Sequence, residues 1–280
     1  MLRPSEIPPT RDVGRSRPGS LLVVGAIAVV VGAFASYGQL GPGVTSGAFL
    51  DPGVPGRLQF AELSHLAAVV LVVASALSVG TAARPRAAAG LLVTSATIAL
   101  LLWLESAFPV AWAGGVQALG LVFPVGTLLV IVAGSRARER EEPDRGDPIA
   151  TVPTSLLSAA VVLAACAFLP LVGDAGTSAI RLGHVVDLGS ADPWSALSAV
   201  LLTRFLLLAA RAARTGDDVA YRGASAQAVG ISFAAGAVGT ILLVIVDRED
   251  ALGVSPTPFV ILVSSVVVLA SARRMLNRRA

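Results

Sequence analysis

Cysteine and histidine are scarce in this chain, and their scarcity narrows the chemistry that it can perform. The one cysteine, Cys166, excludes an intrachain disulfide, and its place in an apolar run is typical of a thiol that serves packing. The two histidines, His65 and His184, belong to no HExxH pattern and pair with no cysteine. The sequence therefore predicts no catalytic motif, no metal site and no cofactor.

Lysine is absent, so all 21 basic residues are arginine. Closely spaced glycines resemble a phosphate-binding loop, but the Lys-Ser/Thr pair that ends a P-loop is missing. These glycines are Gly41, Gly43, Gly47 and Gly53. An isoelectric point near 9.9 would suit a nucleic-acid partner. The arginines, however, cluster beside apolar runs, as residues that fix membrane topology do, and we expect no nucleic-acid partner.

Charged residues make up only 14% of the chain, against about 25% in soluble domains, and hydrophobic residues make up 55%. With a mean hydropathy of +0.79, the chain has more apolar surface than its polar residues could cover, whereas a lipid bilayer would solvate it. A helix needs about 20 apolar residues to cross about 30 Å of hydrocarbon. The runs near this length are approximately 20–40, 59–82, 87–107, 116–134, 154–172, 195–212, 225–246 and 257–275.

These runs predict an all-α fold, a polytopic integral membrane bundle of about eight transmembrane helices. Strands are disfavoured because the runs are continuous rather than alternating, and only helices or closed barrels satisfy the backbone in lipid. Pro124 lies within the fourth run and is expected to kink or break its helix. We predict a disordered cytoplasmic tail at 1–19, a four-helix half at 20–134, a charged cytoplasmic hinge at 135–153 and a second four-helix half at 154–280.

The arginines predict how the chain threads through the cell membrane, with both termini in the cytoplasm. If the N-terminus is inside, only Arg57, Arg181 and Arg248 fall in outer loops. Arg204 lies within a helix, and every other arginine falls on the inner side. Those inner arginines are Arg3, Arg11, Arg15, Arg17, Arg84, Arg86, Arg136, Arg138, Arg140, Arg145, Arg211, Arg214, Arg222, Arg273, Arg274, Arg278 and Arg279.

The two halves share features that an old duplication would leave. In each half the longest outer loop follows the first helix, and each loop carries Thr-Ser followed by a hydrophobic residue, Asp and Gly. Because four helices is an even number, the halves would be parallel repeats related by an axis along the membrane normal. Chance similarity in low-complexity sequence is the alternative. The matched residues are Thr45, Ser46, Leu50, Asp51 and Gly53, against Thr177, Ser178, Leu182, Asp187 and Gly189.

Arg204 is the candidate for an intramembrane functional residue, because it lies about ten residues into the sixth run. A charge at mid-membrane costs about 2.5–3.5 kcal/mol on insertion scales, so such residues usually face a bundle interior and are paired. The functional interpretation is an anion or substrate contact or a gating pair. The structural interpretation is an ion pair that holds helices together, or a side chain that extends to the interface.

A second candidate is a polar cluster at the outer face. Glu62 and His65 are three residues apart and share a helix face, and His184 and Asp187 have the same spacing. Together with Glu105, these residues could form a proton relay or a cation site, because histidine titrates near physiological pH and carboxylates bind divalent ions. Solvated loop charges are the alternative.

Small residues recur every four positions along the seventh run and predict close helix packing. They include Ala226, Gly230, Ala234 and Gly236. We expect this helix, residues 225–246, to lie at the centre of the bundle or to form an interface with a protein partner or a second copy of the chain.

The sequence leaves three functional interpretations. The first is a structural or assembly partner in a membrane complex, favoured by the scarcity of intramembrane polar groups. The second is a transporter or permease component, favoured by the repeat, by Arg204 and by the proline within the fourth run. The third is a membrane enzyme with a site at the outer face.

Overall fold

The computed structural model describes residues 19–33, 36–41, 44–48, 60–79, 84–114, 121–142, 145–166, 170–174, 177–184, 193–246, 252–254 and 256–277. These residues form eight helices: α1 Ser20–Ala33, α2 Phe60–Ser78, α3 Pro85–Gly114, α4 Val122–Glu139, α5 Val152–Cys166, α6 Pro193–Thr215, α7 Val219–Val246 and α8 Thr257–Asn277. They also form five short strands: β1 Ser36–Gly41, β2 Val44–Ala48, β3 Pro170–Asp174, β4 Thr177–His184 and β5 Leu252–Val254. The predicted helical bundle is confirmed, and the strands are additions that we did not predict.

Three of the described helices are long and apolar enough to cross a membrane. They comprise Pro85–Leu104, Val219–Leu242 and Thr257–Asn277. Shorter apolar helices are Ser20–Ala33, Leu63–Ser78 and Val152–Cys166. The chain therefore has the helices of a membrane protein.

The four helices of each half pack in the same order. In the first half α1 packs against α2 and α4, and α3 packs against α2 and α4. In the second half α5 packs against α6 and α8, and α7 packs against α6 and α8. Small residues allow some of these approaches: a Cβ added at Gly32 in α1 would lie 2.5 Å from the backbone nitrogen of Phe123 in α4.

Helices α3 and α7 form the main contact between the halves. A Cβ added at Gly90 would lie 2.3 Å from the carbonyl oxygen of Tyr221, so the two backbones touch near the start of both helices. Helix α2 also packs against α7, and α3 packs against α6. Ser64 in α2 donates a hydrogen bond to the carbonyl oxygen of Ser232 in α7, with the two oxygens 2.9 Å apart.

The strands form two small sheets that follow the first helix of each half. Strands β1 and β2 pair antiparallel after α1, and β3 and β4 pair antiparallel after α5. Strand β5 adds to the free edge of β3 and gives the order β4-β3-β5. Each first helix is therefore shorter than its apolar run, because the predicted runs 20–40 and 154–172 end in strands rather than in helix.

Contacts between helix ends place several arginines at one end of the bundle, which we call the arginine-rich end. The start of α3 meets the start of α7 at Gly90 and Tyr221, and Gly223 in α7 lies against Met275 near the end of α8. Ser155 at the start of α5 is hydrogen-bonded to Ser271 in α8, at 2.9 Å. The described arginines at this end include Arg86, Arg138, Arg214, Arg222 and Arg273.

The interior of the described bundle is built from small and aliphatic side chains, and its hydroxyl groups mostly bond to their own helices. Thr127 donates to the carbonyl oxygen of Pro124 at 2.8 Å, and Ser265 donates to that of Ile261 at 2.8 Å. Thr94 and Ser232 are the buried hydroxyls without a partner among the described residues. Nearly every interior polar group therefore stays within one helix or one helix pair.

Both ends of α4 differ from the prediction. Pro124 does not kink or break α4, because the helix begins at Val122 and a proline in the first turn removes no helical hydrogen bond. Helix α4 also continues to Glu139, inside the predicted hinge, because Ala and Arg are good helix formers and nothing stops the helix at residue 135. The predicted tail lies almost wholly outside the described residues.

Candidate functional site

The candidate site is centred on Asp218, the residue immediately before α7. Its backbone is left-handed, with a φ of 55°, a conformation in which Asp and Asn are enriched among residues other than glycine. The carbonyl oxygen of Asp218 accepts a hydrogen bond from the backbone nitrogen of Arg222 at 3.0 Å, which is the first helical hydrogen bond of α7. Its carboxylate therefore lies at the helix start, where unpaired N–H groups favour negative charge.

Two arginines of the first half hold this carboxylate of the second half. Arg86 donates from Nε and Nη2 to Oδ1 of Asp218, at 3.0 and 2.9 Å. Arg138 donates from Nη2 to Oδ2, at 2.8 Å. Only 11% of the Arg86 side chain and 13% of the Asp218 side chain are exposed, so water screens this pair little. Arg86 also donates to the carbonyl oxygen of Glu141, which fixes the end of α4.

Tyr221 supplies an aromatic platform beside the ion pairs. The guanidinium carbon of Arg138 lies 4.4 Å from the centre of its ring, and that of Arg222 lies 5.3 Å from it. Both distances are within the reach of a cation–π interaction. The buried ring thus keeps two positive charges close together.

Arg222 contributes a positive charge that the described residues do not neutralise. Its guanidinium is half-buried and has no hydrogen-bond acceptor among them. Arg138 lies over the same Tyr221 ring, and both oxygens of Asp218, the carboxylate of this site, already accept from Arg86 and Arg138. The site therefore carries surplus positive charge.

The hinge is attached to the loop between α6 and α7 by backbone hydrogen bonds. Gly146 donates to the carbonyl oxygen of Gly216 at 2.9 Å, and Ile149 donates to that of Ala213 at 2.7 Å. Gly216 has a φ of 80°, and an added Cβ would lie 1.8 Å from the carbonyl oxygen of Gly146. Only glycine fits at this position, for reasons of both conformation and space.

Arg204, the intramembrane candidate, is exposed on the surface of α6. Val200 and Leu207, one turn before and one turn after it, are also exposed, so this face of α6 points away from the bundle. No ion pair joins Arg204 to another residue in the part of the chain that the structure describes.

The predicted outer-face residues are only partly described. His65 is fully buried in α2, and its ring centre lies 4.9 Å from that of Phe123 in α4. Glu62 and Glu105 belong to α2 and α3, and His184 ends β4 opposite Pro170, but their side chains lie outside the described part. Asp187 lies wholly outside it. Within the described residues, no group of three His, Cys, Asp or Glu side chains could hold a metal ion.

The small residues of α7 lie against several helices of the same chain. Ala226 is fully buried, and a Cβ added at Gly230 would lie 3.0 Å from the side chain of Leu269 in α8. Gly236 is buried and Ala234 is half-buried. Since α7 packs against α2, α3, α6 and α8, it holds a central position in the described bundle.

Sequence reasoning did not single out Asp218 or Tyr221. It used Arg86, Arg138 and Arg222 only as markers of topology. One feature could have drawn attention to the site: the pair Asp217-Asp218 interrupts the arginine-rich segment between the sixth and seventh apolar runs.

No family model, no curated protein and no solved structure matches this chain.

Proposed function

We propose that this chain is a multi-pass protein of the cell membrane, and that it serves as a structural or assembly partner within a membrane complex. All eight helices cross the bilayer in this proposal, and both termini are cytoplasmic. The arginine-rich end is then the cytoplasmic end. Function would depend on a rigid bundle rather than on a solute path or a catalytic centre.

The helix directions support this topology. The starts of α3, α5 and α7 and the last turns of α4 and α8 lie together at the arginine-rich end. Helix α1 runs antiparallel to α4, because Gly25 lies against Val130 and Gly32 against Phe123. Helix α2 runs antiparallel to α7, because Leu63 lies against Gly239. This alternation is the one that successive membrane crossings would give, with arginine on a single side.

The matched packing of the halves supports a duplication of a four-helix unit. Helices α1 to α4 pack in the same cycle as α5 to α8, and a β-hairpin follows the first helix of each. The contacts between the halves are also matched, since α2 packs against α7 while α6 packs against α3. Parallel α3 and α7 would lie beside the symmetry axis, where Gly90 meets Tyr221.

One observation carries the partner role: the described interior is filled by Ala, Val and Leu, and its buried polar side chains include no Arg, Asp or Glu. A path for a polar solute normally needs several such groups. At the same time, α1 and α8 present exposed apolar faces that lipid or another helix would cover. The exposed residues include Val24, Ile27 and Val31 on α1 and Val263 and Val266 on α8.

Transport is the second candidate, and the matched packing of the halves favours it. Many transporters move one repeat against the other around a site at the repeat interface. Here that interface is the contact of α3 with α7, and it is crossed by the two ion pairs of Asp218. Rocking of the halves would have to break these ion pairs.

Mild detergent extraction of the tagged chain from its own membrane tests the partner role. Size-exclusion chromatography with light scattering would give the protein mass of the particle, and mass spectrometry would identify its other subunits. We expect a stable, defined second protein in the particle. The 28.3 kDa chain alone, or a homo-oligomer alone, would contradict the role. Substrate uptake by proteoliposomes that contain only this chain would favour the transport alternative instead.

A further inference from the structure

We propose that two copies of this chain associate side by side in the membrane through the outward face of α4, with the two α4 helices parallel. Arg136 of each copy then pairs with Glu139 of the other. The inference goes beyond the proposed partner role and does not depend on it, because two identical chains can associate with or without a second protein. It requires only that α4 cross the membrane.

The first observation is a single exposed stripe along α4, a helix that packs against α1 and α3. The apolar part of the stripe consists of Leu121, Val125, Leu128 and Val132, and between 44% and 53% of each residue is exposed. The spacing of four, three and four residues is a heptad pattern, with Val at the a positions and Leu at the d positions. In coiled coils this pattern favours two parallel helices, and membrane helices commonly pack at the same crossing angle.

Helix α1 widens the exposed face of α4. Gly25 in α1 and Gly126 in α4 mark the line of contact, because a Cβ added at Gly25 would lie 3.1 Å from the carbonyl oxygen of Gly126. The two helices run antiparallel, so the residue before each glycine points to the same side of the helix pair. These residues are Val24 and Val125, and both are more than half exposed. A helix that packs on α4 therefore also covers Val24.

The second observation is the pair of opposite charges that continues the stripe. Arg136 and Glu139 are exposed at the arginine-rich end of α4, and neither forms an ion pair with a described residue. In a two-fold pair both chains contribute the same patch, so the patch must be complementary to itself. One charge of each sign within a single turn meets this condition, because the arginine of each copy reaches the glutamate of the other. The stripe therefore fits a second copy of the chain.

The exposed face of α8 lacks this self-complementarity. It is broader than the stripe of α4 and includes Phe259, Val263 and Val266. At the arginine-rich end it continues into Arg273 and Arg274, which are both exposed. Two copies that paired through α8 would bring like charges together, so α4 is the better site for association.

The experiment measures association of the purified full-length chain in liposomes. Copies that carry a donor or an acceptor dye on a terminal tag are mixed, and energy transfer between them is followed as added lipid dilutes the protein. We expect a dimer that dissociates on dilution, with more transfer than a monomeric membrane protein gives at the same density. Transfer equal to that of the monomeric protein at every dilution would overturn the proposal, because lipid alone would then cover the stripe.

Charge variants test the pairing of Arg136 with Glu139. Arg136→Glu and Glu139→Arg each bring like charges together in the dimer, and each should weaken association about tenfold. The variant with both changes restores opposite charges and should associate within about twofold of the wild-type protein. Arg273→Glu, at the same end of the bundle, should have no effect. A double variant that associates no better than the single variants would overturn the proposed pairing.

Leu128→Ala tests the apolar stripe without changing a charge, and it should weaken association about fivefold. Leu207→Ala is the matched control, because Leu207 is also an exposed leucine but lies on α6. Neither side chain is buried within the chain, so these variants keep the proposal testable if Arg136→Glu disturbs threading. Equal association of the two leucine variants would overturn the assignment of the interface to α4.

Cross-linking in the native membrane identifies what covers the stripe. In a Cys166→Ala background, Val125→Cys should be joined by a short bifunctional thiol reagent to a second copy of the chain. A cross-link to a different protein instead would overturn this inference and leave the partner role intact. A dimer of this chain that is extracted without any other protein would support the inference and contradict the partner role, so the two proposals can fail separately.

Discussion

Arg86 and Asp218 form an ion pair across the two halves of the chain, with Nη2 of the arginine 2.9 Å from Oδ1 of the carboxylate. Arg86 is the second residue of α3, and Asp218 is the residue directly before α7. The pair is separated by 132 residues in the sequence and lies beside the point where α3 and α7 touch. It therefore stabilises the contact between the halves rather than a single loop.

The first prediction concerns the charge of Asp218. Asp218→Asn retains a side chain that tolerates a positive φ but removes the counter-charge of two arginines. We expect the free energy of unfolding to fall by about 1.5–3 kcal/mol, the usual value for hydrogen bonds to charged groups. Denaturant titration of the purified protein in detergent micelles measures this value.

Asp217→Asn is the control for that prediction, because Asp217 is adjacent and exposed and forms no ion pair with a described residue. Its expected change is within about 0.5 kcal/mol, as for most surface substitutions. Equal losses in both variants would show that the ion pairs of Asp218 contribute little.

The second prediction concerns the attachment of the hinge. Gly216→Ala places a Cβ 1.8 Å from the carbonyl oxygen of Gly146 in a backbone with a φ of 80°. The left-handed conformation alone costs about 1–2 kcal/mol for alanine, and the overlap adds to this cost. We expect a lower unfolding midpoint and faster proteolysis within residues 135–153, both measured in detergent.

Gly146→Ala is the matched variant, because nothing lies within 4 Å of its added Cβ. This variant should keep the midpoint and the proteolysis rate of the wild-type protein. Cleavage that is equally slow in both variants would mean that the hydrogen bonds between Gly146 and Gly216 do not hold the hinge.

The third prediction concerns the contact between α3 and α7. Gly90→Ala would place a Cβ 2.3 Å from the carbonyl oxygen of Tyr221, and two helix backbones would have to separate. Overpacking of this kind typically costs about 1–3 kcal/mol. Thermal unfolding in detergent should show a clear loss of stability.

Gly230→Ala provides the comparison, because its added Cβ meets the flexible end of Leu269 at 3.0 Å rather than a backbone atom. Gly230→Ala should lose less stability than Gly90→Ala, since alanine also has a higher helix propensity than glycine. The reverse order of stability would contradict the close backbone contact at Gly90.

The fourth prediction concerns topology. In a Cys166→Ala background, a single cysteine at Arg140, the residue after α4, should react with an impermeant reagent only from the cytoplasm. A single cysteine at Gly183 in β4 should react only from the outside. Labelling of intact and opened cells measures the two accessibilities, and reaction from the same side would refute the proposed threading.

The sequence predicted the helices well because their main determinant, a long apolar run, is local. Helices α3, α7 and α8 correspond to runs that satisfy the length and hydropathy of a membrane span. The ends were predicted less well: α7 begins at Val219 rather than at 225, and α1 ends at Ala33 rather than at 40. Hydropathy cannot locate these ends, because strands β1 and β3 continue the apolar runs and Tyr221 and Arg222 are helical although they are polar.

The candidate site could not be derived from the sequence, because its residues come from three distant segments. Arg86, Arg138 and Asp218 are brought together only when α3, α4 and α7 pack. Their spacing in the chain follows no helical or strand period, and arginine near a helix end already has an explanation in topology. Arg204 was singled out as an unusual charge, but hydropathy alone did not indicate that it lies on the outer surface of α6.

The backbone pairing of residues 145–149 with residues 213–217 has a mechanical consequence. A linker that joins two halves is normally expected to be slack, so that each half can turn without the other. Here the connecting segment is fastened to the second half from residue 145 to residue 149, and Glu141, just after α4, accepts a hydrogen bond from Arg86 in α3. Any large rotation of one half relative to the other would therefore be limited, because the connection between them is effectively shorter than the number of residues between α4 and α5 suggests.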